Sequence, residues 1–426
     1  FATDSVQIRV IEDQSQLTEE NLARFLAETK AERVLIEYNG MWLLDNLYNS
    51  LAGIRNANDH FVMSNAVYAD LQGRIVRATP LTIDNIGKSE AEAKATPVEI
   101  YVERLSAKVE VTAKGDVAGK EATYDVETAV GETPIYAKVL TWELYNEYDK
   151  SYLLKKINPA WTATEVGFNW NDAAWFRSYW AISQTTAFDA ATNQVSYNTL
   201  SNCVATSDYC GENTYNTNST KVVVKALLVD SSNNPVEIAT WYGNDYIGEE
   251  ALRTVVANTL ASQLYSLNGV EYNSITADDL KVVEANEPNP NTSAQLEAYH
   301  VFFQLSTAGE AKTWFTYSSA EGFKAAANDA VNVILGGVEP ALLYADGQTY
   351  YYTDIKHLPS TEDATQYGVV RNHVYKVNIN SISGFGTPVY DADTMFDPET
   401  PEDITTFVSA EVRILSWRVV EYSYDI

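Results

Sequence analysis

The chain is poor in the residues on which most protein chemistry depends. Its 426 residues include two cysteines, four histidines and three methionines. The histidines, His60, His300, His357 and His373, form neither an HxH nor an HExxH arrangement, and the cysteine pair has no second pair at zinc-finger spacing. No metal centre and no organic cofactor is therefore expected. A GxSxG elbow, a Walker A loop and a dinucleotide fingerprint are also missing, which removes the commonest nucleophile and phosphate-cradle signatures. Paired carboxylates are inevitable among 58 acidic residues and carry no information about glycosidase chemistry. The expectation is a protein that is not an enzyme.

Positive charge is scarce as well. Lysine and arginine number 29 against 58 acidic residues, for a formal charge of −29. Nucleic acid and anionic lipid are polyanions that require a basic footprint, so neither is an expected partner. No run of 18 apolar residues occurs, so the mature subunit is not expected to span a membrane. The sequence opens at Phe1 without an initiator Met, a basic leader or an apolar signal core. A mature or trimmed polypeptide is the expectation, with any export signal or lipid anchor in the precursor.

What is present points to β-structure in an exported protein. Apolar residues make up 46% of the chain, enough for real cores, and the aromatics are skewed toward Tyr (28) and Trp (9). Both suit pleated, half-buried surfaces. The length is too great for one ordinary domain and comfortable for two. Alternation is clear at Val6, Ile8 and Val10, and Val34–Ile36 is a short apolar strand. Thr18 followed by Leu22, Phe25 and Leu26 has helical spacing. Residues 61–68 form an apolar run with a polar break, and 91–96 a small linker-like stretch. In 98–113 the alternation changes parity, which predicts a bulge or bend near Glu103 and Arg104. Further strands are expected at 136–143, 220–228, 374–379 and in the last twenty residues, and helices at 249–265 and 319–335. Asp346-Gly347 between Leu342–Tyr344 and Thr349–Tyr352 predicts a hairpin. A domain boundary is expected near Asn216, after an irregular aromatic region. The architecture is mainly β: two β-sandwich domains, 1–216 and 217–426, with a few short helices.

Four short signals need weighing against blander readings. Cys203 and Cys210 enclose six residues. A local disulfide is the first reading and two free thiols the alternative; closing so short a loop would stabilise the fold by roughly 2 kcal/mol. Asp391, Asp393 and Asp397 could offer oxygens to Ca²⁺, but the Gly and Glu of an EF-hand loop are missing, so a solvated acidic loop is preferred. Lys114-Gly115-Asp116 reads as a turn between strands rather than a receptor tripeptide. Trp161, Trp170, Trp175 and Trp180 either fill a core under long loops, the favoured reading, or line a sugar or peptide groove.

The C-terminus is the most telling segment. Val408, Ala410, Val412 and Ile414 alternate, the parity slips to Leu415, Trp417 and Val419, then slips again to Val420, Tyr422, Tyr424 and Ile426. A strand pattern that runs to the last residue presents backbone groups that require a partner, and strand addition to a sheet edge supplies one. Residues 408–419 are expected as an internal strand and 420–426 as a donor to another subunit. Residues 412–426 extended would span about 50 Å at roughly 3.3 Å per residue.

Seven segments in order also resemble the Bacteroidales fimbrillin (type V pilin) family, in particular the shaft subunit of short, or minor, fimbriae. They are FVMSNA at 61–66, VERLSAKVEV at 102–111, YCGENT at 209–214 with TKVVVKA at 220–226, WYGNDY at 241–246 with VVAN at 255–258, DGQTYYYTDIKH at 346–357, YGVVRNHVYKVNINSISGFGTP at 367–388, and ILSWRVVEY at 414–422. The resemblance implies two transthyretin-like sandwiches and export as a lipoprotein to the outer membrane. It also implies removal of an N-terminal strand by an Arg-specific protease, and polymerisation as a neighbour's strand fills the vacated groove. Phe1 would fit a start after such trimming. Implied partners are further copies of the chain, accessory anchor and tip pilins, and host or bacterial surface receptors, in the service of adhesion, biofilm formation and virulence. Alternative readings are a monomeric surface module binding carbohydrate or protein through the Trp cluster, or an anchor or tip pilin.

Overall fold

The computed structural model describes residue 20, residues 48–70, 72–73, 75–78, 85, 89–97, 101–157, 182–184, 188, 193–200, 207–214, 218–284, 300–357 and 368–396, and the backbone of 407–416. The elements expected at 6–10, 18–26 (Glu20 apart) and 34–36 lie outside the described residues, as do Phe1, the stretch from Trp161 to Trp180, Cys203, Asp397 and residues 417–426.

In chain order, short strands β1 (Leu51–Gly53), β2 (Met63–Asn65), β3 (Tyr68–Ala69) and β4 (Ile75–Arg77) precede helix α1 (Glu90–Ala95) and β5 (Val102–Arg104). Next come β6 (Ser106–Ala113), β7 (Thr123–Val130), β8 (Thr133–Tyr145), β9 (Lys150–Tyr152), β10 (Lys155–Lys156), β11 (Val195–Ser196), β12 (Ser207–Gly211) and β13 (Lys221–Val229). They are followed by β14 (Ile238–Trp241), β15 (Asn244–Ile247), α2 (Glu249–Leu260), β16 (Leu264–Asn268), β17 (Glu271–Ser274), β18 (Leu280–Glu284) and β19 (His300–Leu305). Then come α3 (Thr307–Glu310), β20 (Trp314–Ser318), β21 (Gly322–Ala326), α4 (Asn328–Gly336) and β22 (Ala341–Tyr344). The last elements are β23 (Gln348–Asp354), β24 (His373–Ser383), β25 (Thr387–Pro388), β26 (Met395–Phe396) and β27 (Phe407–Ser416).

The fold is mainly β, as expected. One pair of sheets has the strand orders β12-β6-β24-β27 and β25-β23-β13-β8-β7. Period-two patterning explains it: His373, Tyr375, Val377 and Ile379 of β24 are buried while Val374, Lys376 and Asn378 are only partly so. The buried set meets Ala107 and Val109 of β6 and Val222 and Val224 of β13 in one core. Each fully buried large side chain there contributes about 1.5–3 kcal/mol. A second pair, β15-β14-β22-β19-β18 and β17-β16-β20-β21, closes with α2 and α4 over Trp241, Leu252, Phe303, Trp314 and Leu335.

Several local expectations held. The strand break falls at Leu105, between β5 and β6, and its N–H donates to the Val62 carbonyl at 3.0 Å. Gly115 sits at φ +73, where an added Cβ would lie 2.4 Å from the Thr123 backbone, so Lys114–Asp116 is a tight turn entry.

Others require correction. The linker-like stretch at 91–96 is helix α1, nucleated because the Ser89 hydroxyl accepts from the Glu92 N–H. The helix expected to reach residue 265 ends at Leu260, and Leu264 continues the same core from strand β16. The first part of the 319–335 stretch is strand β21, because Gly322 at φ +68 turns the chain back beside β20. Asp346 (φ 52) and Gly347 (φ 74) do make a turn, but not a hairpin: β22 pairs with β14 and β19, whereas β23 pairs with β13 and β25. The turn carries the chain from one sheet pair to the other. Strands from both sides of residue 216 also share both sheets of the first pair, since β8 pairs with β13 and β6 lies parallel to β24.

Candidate functional site

The C-terminal strand is the feature to which the sequence assigned assembly. β27 lies antiparallel to β24 over the registers His373↔Ser416 to Ser383↔Phe407, with a shift between Ile379 and Ser381. On its other side β24 runs parallel to β6, from Val374↔Lys108 to Ile379↔Ala113. β27 therefore closes the sheet at one end, and among the described residues no strand pairs with its outer edge. Val412, Ile414 and Leu415 sit opposite Val377, Tyr375 and Val374. The remaining residues expected in the donor segment, Trp417, Val419, Val420, Tyr422, Tyr424 and Ile426, lie outside the described residues.

The start of β24 is fixed by a buried polar clasp. Arg371 is fully buried, and its guanidinium meets the Glu212 carboxylate at 2.5 Å, Glu212 itself being 1% exposed. The Arg371 backbone N–H donates to the other Glu212 oxygen at 3.2 Å. The guanidinium also donates to the carbonyls of Tyr152 and Leu153 and to the Ser64 hydroxyl. One side chain thus ties β24 to β12, to the end of β9 and to β2. Burial works against its charge, and the Glu212 carboxylate outweighs that, so the guanidinium pKa lies above its ordinary value. Asn372 follows at φ 60, and its N–H donates to the Ser106 carbonyl at 2.8 Å.

Two histidines and a tyrosine complete the clasp. The Tyr375 hydroxyl accepts from the Val370 N–H at 2.7 Å and meets His357 Nδ1 at 2.6 Å. His373 Nδ1 lies 2.7 Å from the Arg371 carbonyl, and the two imidazoles meet edge to face at 5.0 Å. Burial, aided by Lys155, pushes His373 down to about 4, so it is neutral at physiological pH. The arrangement positions a strand: its donors and acceptors are directed at backbone groups and at each other.

The other sequence candidates fall elsewhere. Cys210, on β12 beside Ala107 of β6, is a free thiol fully buried in the core, where a disulfide was the first expectation; Cys203 is outside the described residues. The Asp391 carboxylate accepts from the Asp393 N–H at 2.9 Å, and the Asp393 carboxylate from Asn198 Nδ2 at 2.6 Å. Both are occupied in loop hydrogen bonding. Among the described residues, no group of three or more His, Cys, Asp or Glu side chains is placed to hold a metal, and no helix is long and apolar enough to cross a membrane. Arg371, Glu212, His357, His373 and Tyr375 were missed as a functional group. The available signal was a cation and a histidine set among valines in VVRNHVYKV, where a half-polar strand would place one of them in the core.

Comparison with known proteins bears on this same region. Residues 342–423 match the family model described as major fimbrial subunit protein type IV, fimbrillin, C-terminal. The match takes in β23, β24 and β27 and, of the clasp, His357, Arg371, His373 and Tyr375 but not Glu212. No curated protein matches the chain. Among solved structures, a candidate cell adhesion protein from Parabacteroides distasonis is 13% identical, with a TM-score of 0.21. The alignment covers 76% of this chain and 55% of that one, so the chain spans little more than half the length of that protein. A likeness so slight carries no weight for fold or function.

Proposed function

We propose, from the match of residues 342–423 to the fimbrillin C-terminal family model, that the chain is the shaft subunit of a short surface fimbria. It is a structural and adhesive protein rather than an enzyme, works at the cell surface, and polymerises by strand exchange with further copies of itself and with accessory pilins. The observation that carries the proposal is the placement of the family-matched segment: it contains an edge strand, β27, held by ten registers to β24. The sequence then continues the strand pattern through Tyr422, Tyr424 and Ile426. In this reading β27 is the root of the tail and residues 420–426 are the donor, with Tyr422, Tyr424 and Ile426 filling pockets in a neighbour's groove.

Electron microscopy of the purified chain, with heat-labile ladders on gels as a second readout, tests the polymer directly. Tyr422→Asp combined with Tyr424→Asp introduces two charges into an apolar groove, at a cost of several kcal/mol. It should abolish polymerisation and leave the melting temperature of the subunit unchanged. If the variant unfolds, the tail is an ordinary core strand; if it still polymerises, another segment is the donor.

A further inference from the structure

Sheet β17-β16-β20-β21 has two unlike faces. Leu264 and Trp314 point into the core on one of them. The other carries Tyr265 and Phe315, which are register partners, Tyr317 and Phe323, likewise partners, and Tyr272 opposite Leu267. Its remaining positions are Ser274 and Ala325. No charged residue occupies this face, in a chain that is 20% charged and carries −29 overall.

The aromatic rings form one continuous surface. Tyr272 and Phe323, from opposite edges of the sheet, reach across it and stack at 3.8 Å with a 6° interplanar angle. Phe323 lies 5.1 Å from Tyr265 and 4.9 Å from Tyr317, and Phe315 lies 5.1 Å from Tyr272. Despite this mutual packing, Tyr272, Tyr317 and Phe323 remain 40–41% exposed, Leu267 is 36% exposed and Val270, at the adjoining turn, 91%. The hydroxyls of Tyr265, Tyr272 and Tyr317 make no hydrogen bond among the described residues. An exposed apolar cluster of this kind marks an interaction site.

Charge and area select the occupant. A polyanion gains nothing from an uncharged face on a strongly acidic chain and is repelled by the rest of it. Large side chains exposed to this degree offer on the order of 500 Å², below the roughly 800 Å² per partner of a standard protein interface. A neutral oligosaccharide meets none of these objections. The C–H faces of its pyranose rings stack on aromatic rings, and its hydroxyls exchange hydrogen bonds with phenols that have no other partner among the described residues. The geometry points to this aromatic face as a binding site for neutral oligosaccharides, separate from the tail and independent of polymerisation.

Saturation-transfer NMR on the full chain, with maltotriose and chitotriose as neutral probes and a sialylated trisaccharide as the charged control, tests the assignment. Saturable binding of a neutral trisaccharide in the millimolar class is expected, with none of the sialylated one. Tyr272→Ala with Phe323→Ala should weaken it by at least about tenfold. Tyr317→Phe, which removes one hydroxyl and no packing, should weaken it several-fold with an unchanged melting temperature. Absence of saturable binding to either neutral sugar overturns the proposal, as does binding that both variants leave intact. A wild-type chain that sediments as a dimer, and as a monomer when Tyr272 and Phe323 are replaced, also overturns it by assigning the face to a second copy.

Discussion

Arg371 and Glu212 are charges that water does not reach, and each is tolerated only because of the other. Removing one strands its partner, so Arg371→Met or Glu212→Leu alone should cost about 3–5 kcal/mol, measured by urea denaturation. The double variant should cost less than either, because no charge is left unpaired in the interior. Losses that simply add would mean that the two residues act independently. His373 makes a separate contribution that depends on pH. Folded, it takes a proton only near about pH 4; unfolded, it does so at its ordinary 6.5. Between these values the unfolded chain holds the extra proton. Stability from this group is therefore complete above about pH 6.5, falls as the pH drops, and levels off below about 4, with a total loss of about 3 kcal/mol. Glu147, lifted to about 7 by burial and by Asp208 and Glu143, titrates with the opposite sign. The measurement is accordingly wild type against His373→Gln at each pH, and the gap should narrow as the pH falls from 7 to 4.

Turns decide how the strands are distributed between sheets, and two glycines separate the forces involved. Gly269 and Gly347 both have positive φ, but an added Cβ at Gly269 meets nothing within 4 Å, whereas at Gly347 it would lie 2.5 Å from the Leu228 carbonyl. Gly269→Ala should cost about 1 kcal/mol from backbone strain alone. Gly347→Ala should cost at least twice that, roughly 2 kcal/mol or more, because the crossover must also move off β13. Equal melting temperatures for the two variants would remove the crossover's close approach as a constraint. The same turn shows where sequence reading stops. Asp346-Gly347 identifies a turn because its positive φ values are local, but β22 and β23 pair with strands more than a hundred residues away in sequence, β14 and β13. Alternation made β24 legible, since one of its faces is buried, whereas β13 was legible as a continuous apolar run because both of its faces are buried. Helix α1 was hidden by a composition that suits a linker, although Ser89 three residues before Glu92 is a capping signal. The pattern of the tail was readable as strand; the clasp beneath β24 was not, because Arg371 finds Glu212 only once β12 and β24 flank β6.

The whole molecule carries −29 charges, and the filament proposed for it would have to form against the mutual repulsion of its subunits. A strand that adds to a sheet edge can overcome it because backbone hydrogen bonds and buried side chains act at contact, while repulsion acts during approach. The two are separated by salt. Screening shortens from about 30 Å at 0.01 M to about 8 Å at 0.15 M, so the approach of two subunits should become easier over that range. The strand contact itself, being short-ranged and apolar, should change little. Elongation followed by light scattering is therefore expected to accelerate several-fold with added salt. Filaments already formed should dissociate at nearly the same temperature at both ionic strengths. If elongation instead slows as salt is added, encounter is guided by complementary charged patches on the two subunits. The net charge would then have been the wrong quantity, and assembly would depend on where its 29 basic residues lie.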